Sequence, residues 1–158
     1  MKKLKKTNAL RILDSNKIDY SLIHYEVDES NLSGTEVAKK IGIPQNQIFK
    51  TLVLRCKDNS IIVACIEVGH TLDLKKIAKC ANQKSVEMVN MSALLELTGY
   101  IRGGVSPVGM KKKYKTFFDN NIMKNDIVSV SAGVRGTQML LAPKDLANLV
   151  DAQLCDLI

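Results

Sequence analysis

Two apolar, β-branched runs near the middle of the chain constrain its fold more than any other feature. Residues 48–57 and 61–67 are rich in Ile, Leu and Val, and only Asp58-Asn59-Ser60 separate them. Two such runs joined by three polar residues are typical of a β-hairpin. Both faces of the first run are largely apolar. We therefore expect the hairpin at the centre of a sheet, covered on both sides.

Helices and further strands are predicted on either side of this hairpin. Thr7 caps a helical stripe over residues 7–16, and Ser33 with Glu36 forms a capping box that opens a second helix, which Gly42 closes. Hydrophobic periodicity adds helices at residues 71–79, 92–98 and 143–150, and strands at residues 20–25, 86–89, 116–119, 127–131, 137–141 and near 154.

Nothing in the sequence divides the chain into separate units. It has no internal repeat, low-complexity tract or linker composition. Its 158 residues, 46% hydrophobic and 25% charged, are typical of one globular domain. We predict a single α+β domain over residues 1–158, with a curled, mixed, mainly antiparallel β-sheet surrounded by helices.

The cysteines and the N-terminus bear on cofactors and location. The four cysteines are isolated from one another and have no nearby histidine, which argues against a zinc site. Cys56 and Cys65 fall in the apolar runs, where a reduced cysteine acts as a small hydrophobe.

The basic N-terminal segment is not followed by an apolar run, and no stretch approaches the roughly 18 apolar residues of a membrane span. We expect reduced thiols, no metal or other cofactor, no membrane contact and a cytoplasmic location.

The charge distribution points to a polyanionic partner. The formal net charge is +7, and lysines cluster at residues 2–6, 75–79 and 111–115. Lys111, Lys112 and Lys113 belong to the densest cluster. Such clusters release counterions from a nucleic acid and supply salt-sensitive affinity. A merely solvated surface explains the same charges, and charge alone does not separate the two.

Lys50 is the first candidate for a functional residue. Side chains two apart in a strand share a face, which places Lys50 beside Ile48, Leu52 and Leu54. A lysine in a strand buried on both sides must put its ammonium in a cleft, since an unpaired buried charge is costly. The alternative is that Lys50 lies near the strand's start and extends to water.

Two glycine-rich loops are the second candidate. Residues 103–109 read Gly-Gly-Val-Ser-Pro-Val-Gly, and their amides at Gly103 and Gly104 can approach a carbonyl or phosphate closely. The spacing is not that of a Walker loop or a dinucleotide fingerprint, and a structural turn is the alternative. Arg135, between Gly133 and Gly136, could hold a phosphate or serve only as a turn residue. No Ser-His-Asp or Cys-His site is readable.

These features together resemble the YbaK family, whose members are bacterial cysteinyl-tRNA(Pro) deacylases related to the editing domain inserted in prolyl-tRNA synthetases. The resemblance runs from about residue 7 to about residue 156. It rests on the combination of several short segments, of which none is specific alone: Ile-Phe-Lys-Thr-Leu at 48–52, Asp-Leu-Lys-Lys-Ile-Ala-Lys at 73–79, Val-Glu-Met at 86–88, Thr-Gly-Tyr at 98–100, the loop at 103–109 and Val-Arg-Gly at 134–136.

The resemblance implies roles for individual residues. Lys50 corresponds to the lysine on which activity chiefly depends, Gly103 to the glycine facing the substrate, and Tyr25 to a tyrosine ending an early strand. Leu32 stands where relatives carry an aromatic residue, and Gln138 where they carry an acidic one. We place Lys50, Gly103 and Gly104 in the catalytic set, and group the other residues as follows: Tyr25, Leu32, Ser106, Arg135 and Gln138 as substrate-binding, and Lys111, Lys112 and Lys113 as tRNA-binding.

The resemblance implies trans-editing of mischarged Cys-tRNA(Pro), with Cys-tRNA(Cys) as a second substrate. The family's proposed route uses the substrate's own thiol to attack the ester, which needs no protein nucleophile. Mischarged tRNA is the expected partner, with a transient complex of prolyl-tRNA synthetase as a further expectation. Two alternatives fit the same residues: deacylation of another mischarged tRNA such as Ala-tRNA(Pro), which the residues at 32 and 138 keep open, and a non-catalytic module that binds tRNA or a synthetase.

Overall fold

The computed structural model describes residues 6–158, so Lys2, Lys3 and Lys5 of the first basic cluster lie outside the described residues. The helices are α1 (Asn8–Ser15), α2 (Gly34–Ile41), α3 (Leu74–Cys80), α4 (Leu94–Thr98) and α5 (Pro143–Val150), with 3-10 turns at Gln45–Gln47, Met91–Ala93 and Asn120–Lys124. The strands are β1 (Ser21–His24), β2 (Phe49–Cys56), β3 (Ile61–Glu67), β4 (Val86–Met88), β5 (Lys115–Asp119), β6 (Val128–Ser131), β7 (Thr137–Leu141) and β8 (Gln153–Cys155).

Local sequence signals account for the first two helices. The Thr7 side chain accepts a hydrogen bond from the Leu10 N–H at the start of α1, and the Ser33 side chain accepts one from the Glu36 N–H at the start of α2. Gly42 ends α2 with a φ of 70°, in the left-handed region that glycine tolerates best. Within residues 6–158 no helix is long and apolar enough to cross a bilayer.

The strands form two sheets rather than one continuous sheet. Five strands pair in the order β4-β2-β3-β5-β8, and three pair in the order β1-β7-β6. The β3–β5 and β5–β8 pairs are parallel, while the other four pairs are antiparallel. Within residues 6–158, one isolated parallel bridge, between Ile48 and Ser129, connects the two sheets. The predicted mixed, mainly antiparallel α+β architecture is confirmed, with its strands divided between two sheets.

The core lies on both faces of the central hairpin. One cluster combines α1, β6, β7 and α5 with Phe49 and Phe118 of the large sheet. A second cluster packs α3 against the opposite face, around Leu54, Ile66 and Phe117. β2 and β3 pair antiparallel over seven residue pairs, with β3 in the middle of the five strands. The expectation of a central hairpin covered on both sides is confirmed.

The pairing of Cys80 with Cys155 corrects the expectation that all four thiols are reduced. These two residues form a disulfide that ties the last residue of α3 to the end of β8, across 75 positions of sequence. Cys56 and Cys65 are buried free thiols. Burial raises the pKa of Cys65 to about 12, so this thiol stays protonated and unreactive. The sequence neighbours of a cysteine do not reveal a contact between elements that are distant along the chain.

We expect Cys80→Ser to lower the free energy of unfolding by about 2–4 kcal/mol in non-reducing buffer. A cross-link closing so long a loop removes conformational entropy from the unfolded chain. Denaturant titration with and without reductant measures the effect, and Cys155→Ser should match Cys80→Ser. With reductant, the wild-type protein should fall to the stability of the two variants. Equal stability of all three proteins in non-reducing buffer would contradict the cross-link.

Candidate functional site

A cleft of about 380 Å³ opens where the two sheets meet, and its size is within the range of small-ligand sites. β2 forms one wall from Phe49 to Val53, the first turn of α2 forms a second, and the small sheet contributes Ser131 and Gln138. The remaining side is formed by the start of the glycine-rich loop and the residue before it, through Arg102, Gly103 and Val105. Four of the residues singled out in the sequence line this cleft: Leu32, Lys50, Gly103 and Gln138.

Lys50 brings a half-buried positive charge to the cleft. No hydrogen bond or ion pair to its ammonium occurs within residues 6–158. Burial lowers the pKa of Lys50 below its usual value, because loss of water disfavours the charged form. Ser33, Gly34 and Thr35, at the amino end of α2, line the same cleft. A cation facing the positive end of a helix favours an anionic ligand group.

Gln138 and Ser131 form a polar patch on the wall contributed by the small sheet. The two residues are cross-strand neighbours of β7 and β6, and both are buried. The Gln138 Oε1 accepts a hydrogen bond of 2.8 Å from the Ser129 hydroxyl, which leaves the amide nitrogen for the cleft. Ser131 did not stand out in the sequence. Its pairing with Gln138 across the ladder is what places it here.

The two glycines predicted as hydrogen-bond donors have different surroundings. Gly103 lines the cleft with a φ of 84°, whereas Gly104 is absent from its lining. The Gly104 N–H donates to the Ile101 carbonyl at 2.9 Å, and a β-carbon added at Gly104 would lie 3.1 Å from the backbone of Val134 and Arg135. The Gly104 amide is thus already used within the turn. Gly103 is the one of the pair that can face a ligand.

Arg135 borders the cleft without lining it. Its Nε donates to the Arg102 carbonyl at 2.8 Å, and a β-carbon added at Gly103 would lie 3.4 Å from the Cγ and Nε of Arg135. The guanidinium stem therefore supports the turn that carries Gly103. Arg102 itself lines the cleft and is exposed, a second cation that the sequence analysis did not single out.

Close packing against Tyr100 accounts for the glycines at positions 109 and 133. The Tyr100 hydroxyl donates to the Val108 carbonyl at 2.6 Å, and burial raises the pKa of Tyr100 to about 12. A β-carbon added at Gly133 would lie 2.8 Å from the ring, and one added at Gly109 would lie 2.7 Å from the hydroxyl. The ring packs between the two glycine-rich loops and fixes their relative position. Gly109 and Gly133 are structural at these sites.

The remaining predicted residues lie outside the cleft. Tyr25 lines a small hollow next to it, which shares Leu32 and Gly103 with the cleft. Ser106 is fully buried, and its Oγ accepts a hydrogen bond from the Val108 N–H at 3.3 Å, so its contacts are those of a turn. The three lysines of the dense cluster are exposed on the outer surface beyond the loop: Lys111, Lys112 and Lys113.

The cleft is chemically sparse. Among the described residues that line it there is no Cys, His, Asp or Glu. Ser33, Thr35 and Ser131 carry hydroxyl groups, but the lining has no carboxylate or imidazole to act as their general base. The arrangement can hold and polarise a ligand. It lacks the carboxylate and imidazole groups that activate the nucleophile of a conventional Ser or Cys hydrolase.

Residues 30–149 match the family described as "Aminoacyl-tRNA editing domain". The chain belongs to this family, which confirms the resemblance drawn from the sequence. The protein is therefore an aminoacyl-tRNA deacylase, which is the class of enzyme that the resemblance implied.

Named relatives make the similarity more particular. EbsC of Enterococcus faecalis, which bears the provisional name of a Cys-tRNA(Pro)/Cys-tRNA(Cys) deacylase, is 40% identical over 152 residues, covering 96% of this chain and 93% of EbsC. A proline–tRNA ligase of Geotalea daltonii is 31% identical over 97 residues, 61% of this chain and 17% of the ligase. The crystal structure of a protein described provisionally as a trans-editing enzyme for prolyl-tRNA synthetase shares the fold, with a TM-score of 0.83, 23% identity and coverage of 95% and 94% of the two chains.

Proposed function

We propose that this protein hydrolyses mischarged Cys-tRNA(Pro) in trans and accepts Cys-tRNA(Cys) as a second substrate. The observation that carries the proposal is the cleft itself: a Lys50 ammonium without an ion-pair partner in residues 6–158, in a site whose lining has no Cys and no carboxylate or imidazole base. An aminoacyl-tRNA is an activated ester, so positioning and charge stabilisation suffice for its cleavage. The similarity to EbsC supports cysteine as the amino acid.

In the mechanism we propose, the substrate supplies its own nucleophile. The cysteine sulfur attacks the ester carbonyl carbon, the bond from that carbon to the ribose oxygen breaks, and a cyclic thioester leaves. The thiol proton ends on the ribose oxygen, so the tRNA regains its hydroxyl. Gly103 is placed to stabilise the developing oxyanion, and Lys50 holds the phosphate of the terminal adenosine and orients the ester. The overall step is then a lyase-like cleavage followed by hydrolysis of the thioester.

The substrate-binding residues have separate tasks in this proposal. Leu32 and Gln138, which both line the cleft, contact the aminoacyl group in this proposal, while Arg135 supports the turn that presents Gly103. Tyr25 borders the cleft through the adjoining hollow, and Ser106 acts only through the loop's conformation. Comparing hydrolysis of cysteinyl, alanyl and seryl esters on one tRNA tests the proposed function. Preferred hydrolysis of the alanyl ester would support the Ala-tRNA(Pro) alternative, and tight binding without turnover would support a non-catalytic module.

The proposed task places the protein in the cytoplasm, with the translation machinery. A transient complex with prolyl-tRNA synthetase would deliver the mischarged tRNA before it is used. Similarity to a segment of a proline–tRNA ligase supports a shared substrate, since the same kind of domain is there part of the synthetase chain.

We expect the lysine cluster to supply salt-dependent tRNA affinity. Lys111 and Lys112 are exposed, whereas Lys113 pairs with Asp151. In the double variant Lys111→Ala/Lys112→Ala, the slope of log affinity against log salt should become shallower by about 0.7 to 0.9 for each lysine that contacts a phosphate. Filter binding at several salt concentrations measures it. Lys17→Ala, an exposed lysine elsewhere, is the control, and an unchanged slope in the double variant would exclude the cluster from tRNA binding.

A further inference from the structure

The backbone groups of β2 point alternately to its two edges. The Ile48 carbonyl accepts a hydrogen bond from the Val68 N–H at 3.0 Å, and the Cys56 N–H donates to the Ser60 carbonyl at 2.8 Å. Even-numbered residues of β2 therefore exchange their bonds with β3. In an antiparallel ladder the intervening residues turn their N–H and C=O groups to the opposite edge. For β2 this is the edge beside the cleft.

β4 covers only the far half of that edge. Its strand residues pair with Leu54, Arg55 and Cys56, and the last bond runs from the Val89 N–H to the Val53 carbonyl at 3.1 Å. Continued in the same register, the next partner would be Met91, opposite Thr51. The chain instead leaves the sheet and enters the 3-10 turn Met91–Ala93.

The near half of the edge meets the small sheet at one point. The bridge between Ile48 and Ser129 is the isolated contact there, and the ladder does not continue along β6. Within residues 6–158, no strand pairs with Thr51 on this edge, so its N–H and C=O have no ladder partner there. The Thr51 side chain lies on the core side, with its Oγ1 3.5 Å from the Cys65 Sγ. Thr51 lines the cleft, and these two backbone groups point to the edge of β2 beside it.

This pair matches the two polar groups of an α-aminoacyl ester. In an extended amino-acid residue the nitrogen and the carbonyl oxygen point to the same side, as they do when two residues exchange both bonds of an antiparallel pair. A ligand that adds to a free strand edge gains affinity from such main-chain bonds. One amino acid can therefore occupy the position opposite Thr51 where β4 ends.

We propose that the aminoacyl group of the substrate pairs with Thr51 as a one-residue antiparallel strand. Its α-ammonium donates to the Thr51 carbonyl, and its ester carbonyl accepts from the Thr51 N–H. This inference rests on the proposed function and adds a main-chain donor to the oxyanion site, where Gly104 is already engaged in its own turn. In this proposal the edge of β2 recognises the α-ammonium and the carbonyl, which all α-aminoacyl esters share. The other residues that line the cleft contact the side chain of the amino acid.

A substrate lacking the α-amino group tests the acceptor half of the pair. We compare tRNA(Pro) esterified with cysteine and with 3-mercaptopropionate, which keeps the thiol, and divide each rate by that of uncatalysed hydrolysis. Loss of a charge-assisted hydrogen bond should lower the corrected kcat/KM about 10- to 100-fold. Equal corrected values would overturn the pairing. Failure to hydrolyse Cys-tRNA(Pro) at all would instead count against the proposed function.

Replacing the Thr51 amide by an ester, with the α-hydroxy analogue of threonine, tests the donor half. The replacement removes an N–H without a ladder partner and weakens only the Lys50 carbonyl as an acceptor toward β3, so the stability should fall little, while kcat for Cys-tRNA(Pro) should fall about 10²- to 10³-fold. The same replacement at Leu54, whose groups face Ile62 of β3, leaves both Thr51 groups intact; as the control it should lower the stability more and leave kcat near the wild-type value. Wild-type kcat in the Thr51 ester would overturn the proposal, and so would a loss of stability as large as that of the Leu54 ester, which would reveal a partner for the N–H.

Binding measurements separate this inference from the proposed function. A non-hydrolysable amide, 3′-cysteinylamino-3′-deoxyadenosine, carries the same α-ammonium and carbonyl. We expect the Thr51 ester to bind it at least about 10-fold more weakly than the wild type. Equal affinity would contradict the pairing whether or not the protein turns over Cys-tRNA(Pro).

Discussion

Lys50→Ala should lower kcat/KM for Cys-tRNA(Pro) about 10²- to 10³-fold and leave the protein folded. The first effect follows from position, because Lys50 brings a half-buried charge to the cleft next to the open edge of β2, whereas the other lining cation, Arg102, is exposed. The reason for the second is that no ion pair in residues 6–158 depends on it. Removing a desolvated and unpaired charge does not cost the folded state a stabilising contact. Deacylation assays with labelled Cys-tRNA(Pro), alongside thermal unfolding, measure both.

The pH dependence of the wild-type enzyme gives an independent sign of the same role. Burial lowers the pKa of Lys50, so the ammonium loses its proton at a lower pH than an exposed lysine. Activity that depends on the charged form should decline as the pH rises through that lowered pKa. Lys50→Ala should lack this decline in its residual activity. Lys57→Ala, at an exposed position just beyond β2, is the matched control, and wild-type turnover by Lys50→Ala would exclude Lys50 from the mechanism.

Cys-tRNA(Pro) should be hydrolysed more than about 10³-fold faster than Ala-tRNA(Pro) if the thiol is the nucleophile. A cleft that sorted amino acids by size alone would separate such small side chains by only about 10- to 200-fold. The seryl ester should also be slow, because a hydroxyl is a far poorer nucleophile than a thiol. Corrected rates for the three esters on one tRNA, with mass spectrometry of the released product, provide the measurement.

The product distinguishes the routes further. A cyclic thioester released before free cysteine is expected from attack by the substrate's own sulfur. Free cysteine as the first product, together with comparable rates for the alanyl ester, would point to attack by water and to the Ala-tRNA(Pro) alternative. Because the cleft lining lacks a Cys, His, Asp or Glu among the described residues, that outcome would require a water positioned by backbone groups or by polar side chains such as Gln138.

Local signals predicted most elements of this fold because their causes are local. The cap at Ser33, the stop at Gly42 and the polar turn between the two central runs each act over a few residues, and α2 and the β2–β3 hairpin follow from them. Lys50 was recognisable for the same reason: it is a charge in an apolar strand. The division into two sheets was not, since it depends on how distant strands meet at Ile48 and Ser129.

The parts of the site that escaped sequence reasoning depend on register or on distant contacts. Ser131 enters the cleft because it pairs with Gln138, and Thr51 lacks a ladder partner on one edge because β4 stops short of it. A glycine motif likewise does not reveal which of its amides is already used, as Gly104 illustrates. The Cys80–Cys155 disulfide joins two elements that are adjacent only in the folded chain.

The walls of the cleft come from residues as far apart as Leu32 and Gln138, and the bridge between Ile48 and Ser129 holds the two sheets against each other around it. No short segment therefore carries the site. A fusion or graft that aims to move editing activity into another protein must transfer the stretch from β1 through β8 as one block. The modular unit here is the pair of sheets, and the site exists only at their junction.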